Sequence, residues 1–267
     1  GMHAAGSVVA VGDNCKLVPG DRVIGPTLDT SGGYAEASLM LAEQAFRLPL
    51  GVSSRTAAAM HVTYGTAWLA LHHRGKLQPG ETVLVLAAAG GVGSAAVQLA
   101  RAHGCWVLAA AGGEQKTRVC TALGADVVID YSSQDLYDTV MNVTDGRGVD
   151  VVYDPVGGEY FDVARRLLAW EGRLLIIGFA SGTIPSVPAN HLLVKSYSVI
   201  GVHMGGYQRE EPAVLSRCYA ELHQQLVDGT IDPLISEVIG FDAVPEALKR
   251  LADRGTTGRI VFDPMLE

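Results

Sequence analysis

The apolar positions of this chain change texture twice, near residue 62 and near residue 205. Ahead of residue 62, short apolar runs alternate with turn signals. The run 7–11 meets Gly12-Asp13-Asn14, Pro19-Gly20-Asp21 feeds a run ending at 24, and Ser31-Gly32-Gly33 restarts a run over 34–36. Runs of this length between turns predict a small β unit. From 62 to 205 the runs become continuously apolar, at 82–86, 106–110, 127–129, 150–153, 174–177 and 198–202. Such strands are buried on both faces. Stretches of helical period accompany them at 63–75, 91–103, 114–123, 133–144 and 158–169. Strand alternating with helix predicts an α/β fold, a doubly wound parallel sheet with helices on both faces. Beyond 205 the pattern relaxes into a helix at 213–228, a strand at 235–239, a helix at 243–253 and a strand at 258–262.

The sharpest local motif is Ala87-Ala88-Ala89-Gly90-Gly91-Val92-Gly93, which follows a predicted strand and opens a predicted helix. A dinucleotide fingerprint requires that context. Gly90 or Gly91 lets backbone approach a diphosphate, Gly93 lets helix pack on strand, and the amides at the helix start face the phosphates. Alanine stands in the place of the usual first glycine. A tight strand–helix turn without a ligand is the bland alternative. The second strand ends Ala109-Ala110-Ala111-Gly112-Gly113, with no carboxylate to bind a ribose 2′-hydroxyl. Glu114 sits one step on and suits a helix start, and Lys116 can reach back, so the expected cofactor is NADPH rather than NADH.

Composition narrows the classes. The 267 residues are 48% hydrophobic and 18% charged, which supports one large or two modest domains and excludes disorder. The 32 glycines show no three-residue period, so collagen is out. With 20 Lys+Arg against 28 Asp+Glu, the net charge is −8, and no clustered basic face suggests nucleic acid. Cys15, Cys105, Cys120 and Cys218 form no CxxC pair and read as free thiols of a reducing compartment. The apolar run 83–100 is broken by Gly90, Gly91, Gly93, Ser94 and Gln98, so it predicts a strand and a helix, not a membrane span. Nothing like a secretory leader opens the sequence.

Several motifs together resemble one family. They are Pro19-Gly20-Asp21-Arg22-Val23, Val62-Thr63-Tyr64-Gly65-Thr66-Ala67, the glycine turn, Asp154-Pro155-Val156-Gly157-Gly158, Ile177-Gly178-Phe179-Ala180-Ser181-Gly182 and Thr257-Gly258-Arg259-Ile260-Val261. The chain resembles the zinc-independent quinone oxidoreductases, the zeta-crystallin group of the medium-chain dehydrogenase/reductase superfamily. Val199 to Tyr207 looks like the quinone-oxidoreductase-like subgroup. The resemblance implies a Rossmann domain over 63–205, inserted in a GroES-like β catalytic domain of 1–62 and 206–267. The family's first strands would lie ahead of Gly1, so that catalytic domain is expected to be incomplete. It further implies that Lys116, Tyr131 and Arg254 clamp a 2′-phosphate. Thr63, Gly90, Gly91, Val92, Gly93, Val156, Gly157, Gly178, Phe179 and Ala180 would lie near the cofactor.

The zinc-dependent relatives carry a His-Glu pair where this chain has Met2-His3, and a thioether does not replace an imidazole on zinc. No cysteine lies between Cys15 and Cys105, so their four-cysteine lobe is missing as well. No metal is expected. Hydride transfer to an acceptor that is already electrophilic, a quinone or an enone, is then favoured over alcohol oxidation. Tyr64 and His203 are the nameable candidates for a protonating group; each has a plain packing alternative. An enoyl-thioester reductase and a non-catalytic NADPH-binding structural protein remain as competing readings. By the family's layout the strand 198–202 is a sheet edge without Pro or Lys, which predicts a homodimer through residues near 198–207. The expected setting is the cytoplasm, or the mitochondrial matrix if a leader precedes the sequence.

Overall fold

The computed structural model describes residues 1–28 and 31–266, and the chain divides into two compact units. One is Gly1–Gly65 with Tyr207–Glu267; the other is Thr66–Gly206. The first opens with three antiparallel strands in the order β1 (His3–Ser7), β2 (Arg22–Pro26), β3 (Phe46–Arg47). Ile24 is the buried centre of this sheet, packed with Val52, Ala57, Phe46 and Leu48.

Two expected strands are corrected here. The strand lies at His3–Ser7, not over 7–11, because Val8 and residues 20–21 exchange the last hydrogen bonds of the pair and the chain then turns outward, leaving Val9 exposed. Residues 34–36 form no strand. Ser38 Oγ donates to the Gly32 carbonyl at 2.6 Å and bends the segment back, so the third strand is taken from Phe46–Arg47. An apolar run becomes a strand only where a partner edge is free to receive it.

Helix α1 (Ser54–Trp68) begins well ahead of the expected residue 63. Ser53 explains the start: its hydroxyl accepts from the Thr56 amide at 3.0 Å, an N-cap in front of an alanine-rich run. The helix does not stop at Trp68 but widens into a π turn over Leu69–Arg74.

The second unit alternates strand and helix as expected. Its elements are β4 (Thr82–Val85), α2 (Gly91–Ala102), β5 (Trp106–Ala111), α3 (Glu114–Ala122), β6 (Val127–Asp130), α4 (Leu136–Val143), β7 (Val149–Asp154), α5 (Gly158–Ala164), β8 (Leu168–Ile176), α6 (Ala189–Lys195) and β9 (Ser198–Gly201), after which α7 (Met204–Glu210) carries the chain back into the first unit. Six parallel strands stand in the order β6-β5-β4-β7-β8-β9, which is the Rossmann order with its reversal between β4 and β7. One face buries Leu84, Leu108, Val152 and Leu174 against Leu136 and Val140 of α4 and Phe161 of α5. Each such aliphatic side chain stabilises the sheet by about 1.5–3 kcal/mol.

The expected helix 158–169 is corrected as well. It ends at Ala164, and Leu168 already pairs with Val149 as the first residue of β8. The pairing then jumps to Arg173 opposite Val151, leaving a bulge in which Glu171 has φ +58°. The sequence pattern does not predict α6 and α7; at seven residues each they carry too few turns to show a period. Strand β9 is the outer strand on its side of the sheet. Beside it in sequence, α6 exposes Leu193 and Val194. The first unit resumes with α8 (Pro212–Val227), β10 (Ile235–Ile239), α9 (Val244–Ala252) and β11 (Arg259–Phe262), the last two strands pairing in parallel.

Candidate functional site

In a parallel sheet of this order, ligands bind at the carboxyl ends of the strands beside the reversal. There β4 runs into the turn 86–90 and then α2. Ala87, in place of a first glycine, takes φ +47°, a backbone region that side chains rarely adopt. It is held there because Ala88 N–H donates to Ala110 O at 3.0 Å and Gly90 N–H to Ala87 O at 2.9 Å. Gly93 is required by contact. A Cβ on it would lie 2.3 Å from Ala87 O and 2.8 Å from Ala88 Cα, both backbone atoms that cannot yield. Gly90 has room by comparison, with a Cβ meeting only Ala87 O at 3.3 Å. Ser94 N–H donates to Gly90 O at 2.8 Å as the first helical bond. The amides of Gly91, Val92 and Gly93 therefore stand at a helix start, where no intrahelical carbonyl is available to them.

Across the reversal, β7 ends in Asp154, which is buried. Its Oδ1 accepts from Val156 N at 2.8 Å and Gly157 N at 2.9 Å, folding Asp154-Pro155-Val156-Gly157 into a fixed turn. Burial pushes this carboxyl up, and the two amide bonds act in the opposite direction. The loop after β8 lies on that turn. Ala180 N–H donates to Pro155 O at 3.0 Å, Ser181 N–H to Val156 O at 2.9 Å and Gly158 N–H to Thr183 O at 3.1 Å. The structure thus brings Val156, Gly157, Phe179 and Ala180 into one ladder of two loops, with Gly178 at its edge. A Cβ on Gly157 would come within 3.1 Å of the Phe179 ring.

A third corner forms where β5 and β6 end. The Tyr131 ring lies over Gly112 so closely that a Cβ there would stand 2.7 Å from it, and it packs on Tyr160 at 4.9 Å. Lys116 occupies the first turn of α3, its amide donating to Gly113 O at 3.1 Å. Glu114 opens α3 and pairs with Arg118, as its position at a helix start suggested. One participant was missed in the sequence. The carboxylate of Asp130, at the end of β6, accepts at Oδ1 from Gly113 N at 2.8 Å, Ser132 N at 2.9 Å and Ser132 Oγ at 2.5 Å. These bonds hold its carboxyl below the usual range. No carboxylate stands at the end of the second strand itself; the one at this corner arrives from the end of the third. Only the register Ala111 opposite Asp130 makes this visible.

Thr63 and Arg254 fall in the unit of Gly1–Gly65 and Tyr207–Glu267. Thr63 is buried with its hydroxyl donating to Ala59 O at 2.7 Å, and Arg254 follows α9 with φ +57°. Tyr64, one of the two candidates for a protonating group, has the surroundings of the packing alternative. It is buried, its hydroxyl donates to Asp232 O at 3.2 Å, and burial raises its pKa far above the ordinary phenol value. His203 is exposed just past β9, its ring lying over Gly205 and Gly206 of α7.

In the first unit, His3 packs on His61 at 5.2 Å, and His61 stacks on Tyr219 at 4.5 Å. Among the described residues no group of three or more His, Cys, Asp or Glu is arranged to hold a metal, and no helix is long and apolar enough to cross a membrane. A concavity of about 680 Å³ lies along β1, residues 8–15 and residues 261–264, and none of the predicted site residues lines it.

Residues 91–221 match the family model described as zinc-binding dehydrogenase. The chain is 41% identical to quinone oxidoreductase-like protein 2 of Bos taurus over 264 residues, covering 98% of this chain and 75% of that protein. The solved quinone oxidoreductase of Escherichia coli, a complex with NADPH, superposes with a TM-score of 0.90 at 30% identity, covering 99% of this chain and 82% of that one. The CurK enoyl reductase superposes with a TM-score of 0.86 at 29% identity, covering 98% and 78%.

Proposed function

This chain belongs to the zinc-independent quinone oxidoreductase family of the medium-chain dehydrogenase/reductase superfamily, and on that footing we propose that it is an NADPH-dependent reductase that hands a hydride to a quinone or an α,β-unsaturated carbonyl. The observation that carries the reading is the β4–turn–α2 corner beside the sheet's reversal. There Gly93 leaves no space for a Cβ and the first amides of α2 face outward. That corner fits a diphosphate: donors, a positive helix end and bare backbone converge on one point.

In this reading the amides of Gly91, Val92 and Gly93 bind the diphosphate, with Gly90 admitting it. Lys116 and Tyr131 bind the 2′-phosphate. Val156, Gly157, Gly178, Phe179 and Ala180 border the nicotinamide end. Asp154 holds the Val156–Gly157 turn in place through its two amide bonds. The bound dinucleotide supplies the hydride. The chain's own contribution is to fix that donor against the acceptor and to exclude water from the contact. Since the Tyr64 hydroxyl is committed to Asp232 O, His203 and solvent are the sources left for the proton that completes the reduction. Met2 at the place of the zinc enzymes' imidazole, and the electrophilic character of the acceptor, both favour a reaction without a metal.

We further propose that the Gly1–Gly65 and Tyr207–Glu267 unit serves the acceptor, that two chains pair through β9 as a homodimer, and that the four free thiols suit a reducing compartment. The likeness to an enoyl reductase supports one second reading, reduction of an enoyl thioester.

A fluorescence titration with NADPH and NADH tests the cofactor, and loss of nicotinamide absorbance with a panel of quinones, enones and enoyl thioesters tests the acceptor. NADPH should bind at least about tenfold more tightly than NADH, a difference of about 1.4 kcal/mol. Lys116→Ala should weaken NADPH and leave NADH nearly unchanged. Equal affinities in the unmodified protein would sink the cofactor reading.

A further inference from the structure

We propose that Asp130 sets how strongly this chain discriminates between the 2′-phosphorylated dinucleotide and its unphosphorylated counterpart, its carboxylate opposing the phosphate held by Lys116 and Tyr131. The inference rests on the cofactor reading above and concerns the adenosine end of that same site.

Strands β5 and β6 run parallel with Ala111 opposite Asp130. This register carries the Asp130 side chain across to the Gly112–Gly113 turn, where Oδ1 accepts from Gly113 N at 2.8 Å. Dinucleotide folds that read a ribose 2′-hydroxyl place their acidic residue at the end of the second strand. Here the second strand ends in alanine and glycine, and the acid at that corner is lent by the third. Its position is fixed, because Ser132 adds two further bonds to the same oxygen, from its amide at 2.9 Å and its hydroxyl at 2.5 Å.

The groups read as phosphate-holding share the corner. Tyr131 is the next residue, with its ring over Gly112, and Lys116 stands in the first turn of the helix that Gly113 opens. The other acid nearby, Glu114, is paired with Arg118. A phosphate bound here meets a cation, a phenol and a fixed carboxylate together. A 2′-hydroxyl at the same place meets the same carboxylate as a hydrogen-bond acceptor. Like charge weakens the first case only.

Two variants separate charge from scaffolding. Asp130→Asn retains an oxygen to accept from Gly113 and Ser132 and removes the charge. Asp130→Ala removes both. Dissociation constants for NADPH and NADH would be measured by fluorescence titration in low and high salt, with melting curves to confirm folding. Asp130→Asn should tighten NADPH about three- to tenfold, and the gain should shrink in high salt. Its affinity for NADH should stay the same or fall. Asp130→Ala should weaken both dinucleotides by loosening the turn. An unchanged NADPH-to-NADH ratio in Asp130→Asn, or equal weakening of both cofactors in both variants, would leave Asp130 as a structural tie and overturn the proposal. If the unmodified protein binds neither dinucleotide, the cofactor reading itself fails. Binding of NADPH with a ratio indifferent to Asp130→Asn refutes only the assignment to Asp130.

Discussion

Gly93→Ala is the substitution on which the architecture of the glycine turn makes its firmest demand. The added methyl would stand 2.3 Å from Ala87 O, 2.8 Å from Ala88 Cα and 2.9 Å from Ala87 C. All three are backbone atoms of a turn already pinned to Ala110 and Gly90, so no side chain can swing away. Relief requires α2 to lift off β4 by most of an ångström or more, which disturbs the buried contacts of Ala95, Ala96 and Leu99. Overpacking of this kind costs about 1–3 kcal/mol, and the contact here belongs at the upper end of that range. Alanine's better helix propensity returns at most about 1 kcal/mol. The net loss is about 2 kcal/mol, a fall in Tm of roughly 4–8 °C for a protein of this size. Because the same shift moves the first amides of α2, dinucleotide affinity should fall at least about tenfold. Gly90→Ala is the control for folding alone, since its methyl meets Ala87 O at 3.3 Å and little else; its melting curve should stay near that of the unmodified chain, while its dinucleotide affinity should fall because the methyl faces the diphosphate. Melting curves and fluorescence titration on both variants provide the readout. A Gly93→Ala protein that melts and binds like the unmodified chain would show that this turn does not have the geometry described.

Burial, with a smaller effect from His103, pushes His72 down to about 4. The unfolded chain then takes up more protons between pH 6.5 and 4, and stability falls as pH drops through that window, by about 2 kcal/mol at pH 5. Urea unfolding at pH 7.5 and 5 should show this loss in addition to those from His3 and His61, which burial also pushes down, and His72→Gln should remove about 2 kcal/mol of the difference while the rest remains; an unaltered pH slope in the variant would count against the buried neutral ring. Tyr64→Phe should lower stability by about 1 kcal/mol through the lost bond to Asp232 O and leave turnover intact, whereas a collapse of kcat with normal folding would restore Tyr64 as a proton donor. Ile200→Lys should shift the protein from dimer to monomer by light scattering, because a two-fold pairing of β9 sets the new charges against each other; an unmodified protein that is monomeric at micromolar concentration refutes the pairing.

Local pattern alone specifies the parallel sheet and the glycine turn between its first strand and helix. Continuous apolar runs at 82–86 and 106–110 have no stable home except a sheet covered on both faces. Glycine at 93 marks a close approach that local sequence can announce, because strand, turn and helix are contiguous there. Tertiary structure decided whatever depended on a distant partner. The run at 34–36 had strand-like residues but no edge to pair with. Leu168 and Ala169 fitted a continuing helix as well as a strand until β7 supplied the ladder. Tyr64 read as a candidate acid because its acceptor, Asp232, lies far along the chain. Asp130 read as the end of a strand until the register with Ala111 carried its carboxylate to Gly113. Propensity and period act over a few residues, whereas a side chain's hydrogen-bond partner and charge environment are set by which strands lie side by side. Most of this fold is therefore legible from local pattern, while the roles of Tyr64 and Asp130 follow from pairing that only the folded sheet and its neighbours impose.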